Sequence, residues 1–288
     1  MKLYRTILVT GATGFIGSNI CRQLKNSNQD YRLLSPSKDE VDLLNRESFE
    51  RFISDFKPDI VIHCAAQIPN NSCFSESRLI NNLIDSHVSE SLKCHLPEAR
   101  LIYCSGTSFY KPSLDLITEQ SIIEAKNQYF QSKFDGEQII KKSGINATIL
   151  RISAPYGQGQ KAQTVIHKFI NQALKNEPLY IFGSGERVQN FTYIDDVVSA
   201  FESALSFEIN GVFNICSDET VSMKYLAQTI IEITDSKSKI KSIEQEDPDT
   251  LRTLLISNQK AKSQLGWVPT NNIRNGLLKM LNESGNNI

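Results

Sequence analysis

Two groups of residues in this chain have the types and spacing to do chemistry. The first is Thr10-Gly11-Ala12-Thr13-Gly14-Phe15-Ile16-Gly17, which follows an apolar run at 6–9. Glycines at 11, 14 and 17 permit a tight turn and a close backbone approach to a pyrophosphate. The helix that opens behind them offers unpaired N–H groups to the same anion. The second is Tyr129-Phe130-Gln131-Ser132-Lys133, which sets a phenol and an ammonium four residues apart on one helix face. A phenol of ordinary pKa, about 10, is a poor base at neutral pH. A neighbouring ammonium and the positive ring of an oxidised nicotinamide both favour phenolate. Tyr129 can then remove a proton from a hydroxyl as hydride leaves for the cofactor, or return it in the reverse reduction, while Lys133 hydrogen-bonds the nicotinamide ribose. In this order the two groups predict an oxidoreductase.

The elements that must position them follow from periodicity. Short apolar β runs at 6–10, 31–35, 60–66, 99–105 and 147–152 alternate with helical patterns at 15–24, 46–56, 80–95 and 121–143, the last closed by Gly144. Apolar strands alternating with helices predict right-handed βαβ units and an α/β fold with a doubly wound parallel sheet. After Arg151 the rhythm changes. A helix is expected at 163–175, a short strand and turn at 178–185, a helix at 195–206, and a strand at 211–216 that rejoins the sheet; the polar segment 234–253 reads as loop. The expected organisation is a dinucleotide-binding domain over 1–154, joined again by about 191–216, with a smaller substrate-binding lobe from 155–190 and 217–288.

Bulk properties narrow the function. The 288 residues are 40% hydrophobic and 22% charged with a net charge of −1, so nothing draws the whole chain to nucleic acid or to an anionic membrane. Cys21, Cys64, Cys73, Cys94, Cys104 and Cys216 form no Cys-x-x-Cys pair and mostly sit in apolar runs, which predicts buried thiols. The four histidines are unclustered, and no metal is expected. No run of about 18 apolar residues occurs, and Met1-Lys2 passes straight into a strand, so a cytoplasmic protein with no membrane contact is expected.

The end of the second strand bears on the cofactor. NAD binders usually carry a carboxylate about 20 residues after the glycine turn, for the ribose 2′-hydroxyl. Here the strand ends Ser35-Pro36-Ser37-Lys38 with no carboxylate until Asp39. Serine hydroxyls and Lys38 suit a 2′-phosphate, which leans the reading to NADP(H) over NAD(H); a solvated loop that does not discriminate is the alternative. Asp42 and Leu43 are placed to lie against the adenine.

The ordered series Thr10 to Gly17, His63-Cys64-Ala65-Ala66, Tyr129/Lys133 with Gly136-Glu137, Arg151 with Tyr156-Gly157, Tyr193-Ile194-Asp195-Asp196-Val197 and Leu265-Gly266-Trp267-Val268-Pro269 covers nearly the whole chain. It resembles the extended short-chain dehydrogenase/reductase family, in its nucleotide-sugar epimerase, dehydratase and reductase branch. The resemblance implies a cofactor set of Gly11, Thr13, Gly14, Phe15, Ile16, Gly17, Lys38, Asp42, Leu43, Ala65, Ala66, Tyr129, Lys133 and Pro155. It also implies a Ser or Thr at the end of the strand before the catalytic helix, bonded to the reacting oxygen. Counting back from Tyr110 puts that position on Gly106, flanked by Ser105 and Thr107; Thr107 is the first candidate, and both hydroxyls capping the turn is the alternative. Dehydratases carry acidic residues just beyond, where this chain has Thr107 and Ser108. Ala154-Pro155 stands where an Asn is usual, and Gln189 where an Arg is. Gln67, Arg187 and Arg252 are therefore the candidate substrate residues, the guanidiniums suiting bidentate diphosphate binding, with solvated surface arginines the alternative. Asp195-Asp196 are expected to cap a helix and tie the lobes, Trp267 to anchor the small lobe, and His63 to be a satisfied core histidine. The implied activity is hydride transfer at a sugar carbon of a nucleotide sugar. Reduction of a 4-keto sugar comes first and 4-epimerisation second, and Gly106 keeps open a catalytically silent cofactor-binding sensor or scaffold. Relatives pair through the helices at 80–95 and 121–143, so a homodimer is implied.

Overall fold

The computed structural model describes residues 5–27, 31–68, 74–161, 164–244 and 254–284. β1 (Arg5–Thr10) leads through the glycine turn into α1 (Phe15–Asn26). There follow β2 (Tyr31–Leu34), α2 (Arg46–Phe56), β3 (Ile60–His63), α3 (Phe74–His95), β4 (Arg100–Gly106), β5 (Ser113–Ile117), α4 (Gln128–Ser143) and β6 (Ala147–Ile152). The rest of the chain forms β7 (Pro155–Tyr156), α5 (Val165–Leu174), β8 (Leu179–Phe182), β9 (Val188–Gln189), β10 (Thr192–Tyr193), α6 (Ile194–Ser206) and β11 (Gly211–Ile215). It ends in β12 (Val221–Ser222), α7 (Met223–Ile233), β13 (Ile240–Ile243), β14 (Leu254–Ile256), α8 (Gln259–Leu265) and α9 (Ile273–Ser284).

The main sheet has six strands in the order β11-β6-β4-β3-β1-β2, every neighbouring pair parallel. From β1 the chain first moves outward to β2, then returns to β3 on the other side. That reversal opens a crevice at the carboxyl ends of β1 and β3, where ligands bind in sheets of this kind. Alternate residues face opposite layers. Ile7, Val9, Ile62, Ile102, Cys104 and Leu150 join the core beneath α1 and α6. Leu8, Val61, Leu101, Tyr103 and Ile149 join the core with Phe49, Val88 and Ile140. With both faces covered, the strands must be apolar on both sides, which is why they read as continuous runs.

Several elements differ from their expected bounds, α4, α3 and β13 the most. α4 starts at Gln128 instead of 121, because Asn127 caps it by accepting the Phe130 N–H at 2.8 Å. The residues before it pair backward: Lys111 N donates to Ile122 O at 2.9 Å and Glu124 N to Phe109 O at 2.8 Å. α3 begins earlier, at Phe74. Within the expected loop 234–253, β13 pairs parallel with β8, its Ile240 and Ile243 half-buried; residues 245–253 lie outside the described residues. No helix among the described residues is long and apolar enough to cross a membrane.

The acidic pair at α6 does less capping than expected and more tying. The N-cap of α6 is Tyr193, without a side-chain cap bond, and Asp195 meets Lys279 at the surface, at 3.1 Å. Asp196 is buried, and its carboxylate accepts from Thr270 N (2.9 Å), Thr270 Oγ1 (2.8 Å), Asn271 N (3.0 Å) and Asn271 Nδ2 (3.0 Å). Trp267 Nε1 donates to Asp196 O at 3.0 Å. Replacing Asp196→Ala strands the Thr270 and Asn271 donors, so denaturant unfolding should show a loss of about 3 kcal/mol. A loss below roughly 0.5 kcal/mol, the ordinary range for a surface change, would contradict the tie.

Candidate active site

The glycine turn is built by close approach. Gly11 has φ +69°, and a Cβ there would lie 2.6 Å from Ala65 N, so β1 and the end of β3 meet backbone to backbone. A Cβ on Gly17 would run into the Gly11 carbonyl oxygen; its absence lets α1 seat directly on the turn. Gly14 N donates to Gly11 O at 2.9 Å. Gly14 is also the N-cap residue and makes no side-chain cap bond, which leaves the first-turn amides of Phe15, Ile16 and Gly17 for an anion. The adjoining cavity, about 370 Å³, is lined by Gly11, Thr13, Ala65 and Ala66, by Lys38 and Asp42, and by the apolar Val41, Leu43 and Phe49. An uncapped helix terminus, a glycine cradle and an apolar part of the lining fit the diphosphate and adenosine of a dinucleotide.

Two placements here refine the expectation. Lys38 does line the cavity, but Glu40 folds back: its carboxylate accepts the Ser37 N–H at 2.7 Å, and these bonds hold its pKa below the usual carboxylate range. A carboxylate therefore reaches the second-strand terminus after all, from two residues beyond Lys38. Gln67 lies with the cofactor residues and apart from Arg187. Its backbone is pinned by Asn81, whose Oδ1 accepts Gln67 N at 2.7 Å and whose Nδ2 donates to Gln67 O at 3.2 Å and to Ser132 Oγ at 3.0 Å.

Tyr129 and Lys133 occupy the first turns of α4, against the end of β4. Lys133 Nζ donates to Cys104 O at 3.1 Å and lies 5.3 Å from the Tyr103 ring centroid. Burial raises the Tyr129 pKa, and the Lys133 charge pulls the other way without overcoming it. Burial works against the Lys133 charge, but Tyr129, Cys104 and Asp85 outweigh it and hold its pKa up. In the protein alone the pair is thus a protonated phenol beside an ammonium. Of the two charges expected to acidify the phenol, Lys133 and an oxidised nicotinamide, the first is outweighed by desolvation in the protein alone.

Ser105 is also corrected. Its Oγ donates to Glu137 Oε1 at 2.7 Å, inside a buried network. Arg151 holds the same carboxylate in a fork, Nε to Oε1 at 2.8 Å and Nη2 to Oε2 at 2.6 Å, and its Nη1 donates to Tyr110 Oη at 2.5 Å and Glu119 O at 3.0 Å. Tyr110 Oη donates in turn to Asn214 Oδ1 at 2.7 Å. A hydroxyl committed to Glu137 is structural. Thr107 is buried, its N–H on Ile152 O at 3.2 Å and its carbonyl taking the Tyr110 N–H at 3.1 Å. At Gly106 the nearest atom to an added Cβ is Ile152 O at 3.8 Å, so a side chain has room there.

Beneath Lys133 lies a second buried chain. Thr10 Oγ1 and His63 Nδ1 are 2.6 Å apart, His63 Nε2 and Asp85 Oδ1 3.0 Å, and Tyr103 Oη donates to Asp85 Oδ2 at 2.9 Å. His63 is the satisfied core histidine expected. Gly136 makes room for this group, since a Cβ there would strike Asp85 Oδ2 and Tyr103 Oη. Asp85 and the role of Glu137 were not read from the sequence, because a carboxylate in a helical pattern looks solvated until its buried partner is known.

Arg187 lines a separate cavity of about 480 Å³ with Lys168, Tyr180 and Phe182. The last three were also missed, being spread over α5 and β8. Pro155 lies in β7, paired with β10, outside the lining of the first cavity. Arg252 lies outside the described residues. No group of three or more His, Cys, Asp or Glu among the described residues is arranged to hold a metal ion.

Residues 7–216 match the model of the NAD dependent epimerase/dehydratase family. The chain is similar to a Methanocaldococcus jannaschii protein provisionally named a UDP-glucose 4-epimerase, 29% identical over 306 residues, 98% of this chain and 99% of that one. It is similar to dTDP-D-glucose 4,6-dehydratase of Dictyostelium discoideum, 29% identical over 268 residues and 79% of this chain, and spans 62% of that enzyme's length. The fold matches that of UDP-glucuronic acid 4-epimerase from Bacillus cereus in complex with UDP-glucuronic acid and NAD, with TM-score 0.83, 25% identity, and coverage of 98% of this chain and 99% of that one.

The Glu137–Arg151 fork makes a stability prediction. Arg151→Met leaves Glu137 buried with, among the described residues, only Lys141 Nζ, at 3.6 Å, as an ion-pair partner. The loss should be about 3–5 kcal/mol, and the double change Arg151→Met with Glu137→Met should recover a large part of it. Equal losses in the single and double variants, measured by urea unfolding, would contradict a paired, desolvated fork.

Proposed function

Because the chain belongs to the NAD-dependent epimerase/dehydratase family, we propose that it transfers hydride at a sugar carbon of a nucleotide sugar, as a 4-keto-sugar reductase. The observation that carries this reading is the half-buried Tyr129–Lys133 pair, one helical turn apart at the end of β4, beside a cleft that fits a dinucleotide. When bound, the nicotinamide supplies or takes up the hydride. This chain's residues handle the proton. In reduction Tyr129 Oη gives its proton to the sugar oxygen, and burial keeps that proton in place until the substrate arrives. Lys133, held by the Cys104 carbonyl, keeps its charge beside the phenol and stabilises the phenolate left behind. Thr107 is the hydroxyl we assign to orient the sugar oxygen.

The substrate's nucleotide is supported by the Arg187 cavity, where Lys168 and Arg187 offer cations to a diphosphate and Tyr180 and Phe182 offer ring faces to a base. That cavity belongs to the lobe proposed over 155–190 and 217–288. For the cofactor, Lys38 in the cleft supports NADP(H), while the Glu40 carboxylate at Ser37 and the NAD of the Bacillus cereus protein support NAD(H). We read both as accepted, with Lys38 meeting the 2′-phosphate. Leu79 and Leu83, 73% and 45% exposed one turn apart on α3, support pairing of two copies along that helix. The second reading, 4-epimerisation, is supported by the epimerase names of the Methanocaldococcus and Bacillus cereus proteins. An epimerase turns over with catalytic cofactor, whereas a reductase consumes one reduced dinucleotide per sugar.

Two outcomes test the reading. Tyr129→Phe should lower kcat by about 10²–10⁴-fold while calorimetric Kd values for NAD(H) and NADP(H) stay within a few-fold; unchanged kcat would end the assignment. Gly106→Ser should fold normally, given the open space, and should leave kcat within a few-fold in steady-state assays with 4-keto sugar nucleotides, because Thr107 already orients the oxygen. A rise of about tenfold or more would mean that the role was vacant and would end the Thr107 assignment.

A further inference from the structure

We propose that Cys64 and Cys104 form an oxidisable dithiol at the base of the cofactor cleft, closed to a disulfide by hydrogen peroxide when the cleft is free and shielded when a dinucleotide is bound. The sheet brings the two together. His63 and Tyr103 are Cα partners in the parallel β3–β4 ladder, so the next residues, Cys64 and Cys104, stand opposite one another. Cys64 N donates to Thr10 O at 3.2 Å, which carries the β1–β3 ladder one residue past the end of β3. Aligned side chains of parallel neighbours share a face, and strands about 4.8 Å apart fall within the roughly 4.4–6.8 Å Cα span that a disulfide bridges. Both side chains pack on the same core layer, Cys104 within it and Cys64 against it. Cys64 is half-buried and immediately precedes Ala65 and Ala66, which line the cavity.

Lys133 Nζ sits 3.1 Å from the Cys104 carbonyl oxygen. The neighbouring Cys64 thiol and the Lys133 charge favour the Cys104 thiolate against the effect of burial, which makes Cys104 the nucleophile. The Cys104 thiolate attacks one peroxide oxygen; the O–O bond breaks, an S–O bond forms, and hydroxide leaves as water after taking a proton. Cys64 sulfur then attacks Cys104 sulfur; the S–S bond forms, the S–O bond breaks, and the second oxygen leaves as water with the Cys64 proton. Two thiols and one peroxide become one disulfide and two waters, with the peroxide reduced by two electrons. Closure draws the sulfurs to about 2.05 Å and shifts Cys64 together with Ala65. Because Gly11 packs directly on the Ala65 backbone, the phosphate turn has no slack to absorb that shift. Oxidation should therefore weaken dinucleotide binding, and by linkage the dinucleotide must oppose oxidation. Only this shielding rests on the cofactor reading of the cleft.

The test uses the full chain treated with hydrogen peroxide, alkylated and read by peptide mass spectrometry. The expected result is a cross-linked Cys64–Cys104 peptide pair and loss of two of the six thiols. NAD⁺ or NADP⁺ at ten times its calorimetric Kd should slow that loss about tenfold. In Cys64→Ser the cross-link disappears and Cys104 stops at a sulfenic acid that dimedone traps. No cross-link in the wild type, or a bridge formed instead through the exposed Cys94, overturns the pair. A cross-link formed at the same rate with a calorimetrically bound dinucleotide overturns the shielding. A dinucleotide that gives no calorimetric binding counts against the cofactor reading alone, since the cross-link is scored without it.

Discussion

A carboxylate and a guanidinium buried together cost several kcal/mol each in lost hydration unless every lone pair and N–H finds a partner. Glu137 and Arg151 meet that requirement with a two-bond fork, and the remaining valences are filled by Ser105, Tyr110 and the Glu119 carbonyl. Burial works against the Arg151 charge, but the Glu137 bonds and charge override it and keep the guanidinium protonated. The fork joins α4 to β6 and β4, and through Tyr110 and Asn214 to β11. Glu137 lies one turn beyond Lys133 and two beyond Tyr129. The orientation of α4 is thereby set by a bond with little angular tolerance, and a tolerant apolar contact would not hold it so closely.

A second constraint is how closely backbones approach. β1 touches the end of β3 at Gly11 and Ala65, α1 sits on the turn because Gly17 has no side chain, and α4 accommodates Asp85 and Tyr103 because Gly136 has none. Each glycine removes a Cβ where two segments converge on the crevice at the reversal of strand order. The cleft, the pair on α4 and the Cys64–Cys104 neighbours are consequences of one geometry, the carboxyl edge of β1, β3 and β4.

Electrostatics at that edge run against a simple reading of Tyr and Lys spacing. A phenol beside an ammonium suggests an acidified phenol, yet desolvation of Tyr129 exceeds the pull of Lys133. A site with this balance holds its proton in the free protein and releases it only when further positive charge or an acceptor enters.

Much of this protein was legible in its sequence. The alternation of apolar strands with amphipathic helices, the glycines at 11, 14 and 17, and the Tyr129–Lys133 spacing are local patterns, and they specified the parallel sheet, the turn and the shared face of Tyr129 and Lys133 on α4. Local patterns carry this information because helix and strand periodicity and positive φ are properties of neighbouring residues. What depended on tertiary structure is what depends on distant partners. Ser105 read as a candidate for the reacting oxygen until Glu137, 32 residues away, claimed its hydroxyl. The Glu40 contact with the Ser37 N–H likewise went unread. β13 read as loop because its pairing partner β8 lies some 60 residues earlier in the chain. Burial, and with it the sign of the Tyr129 shift, is a property of the packed whole: a sequence names the charges, and only the fold decides which of them lose their water.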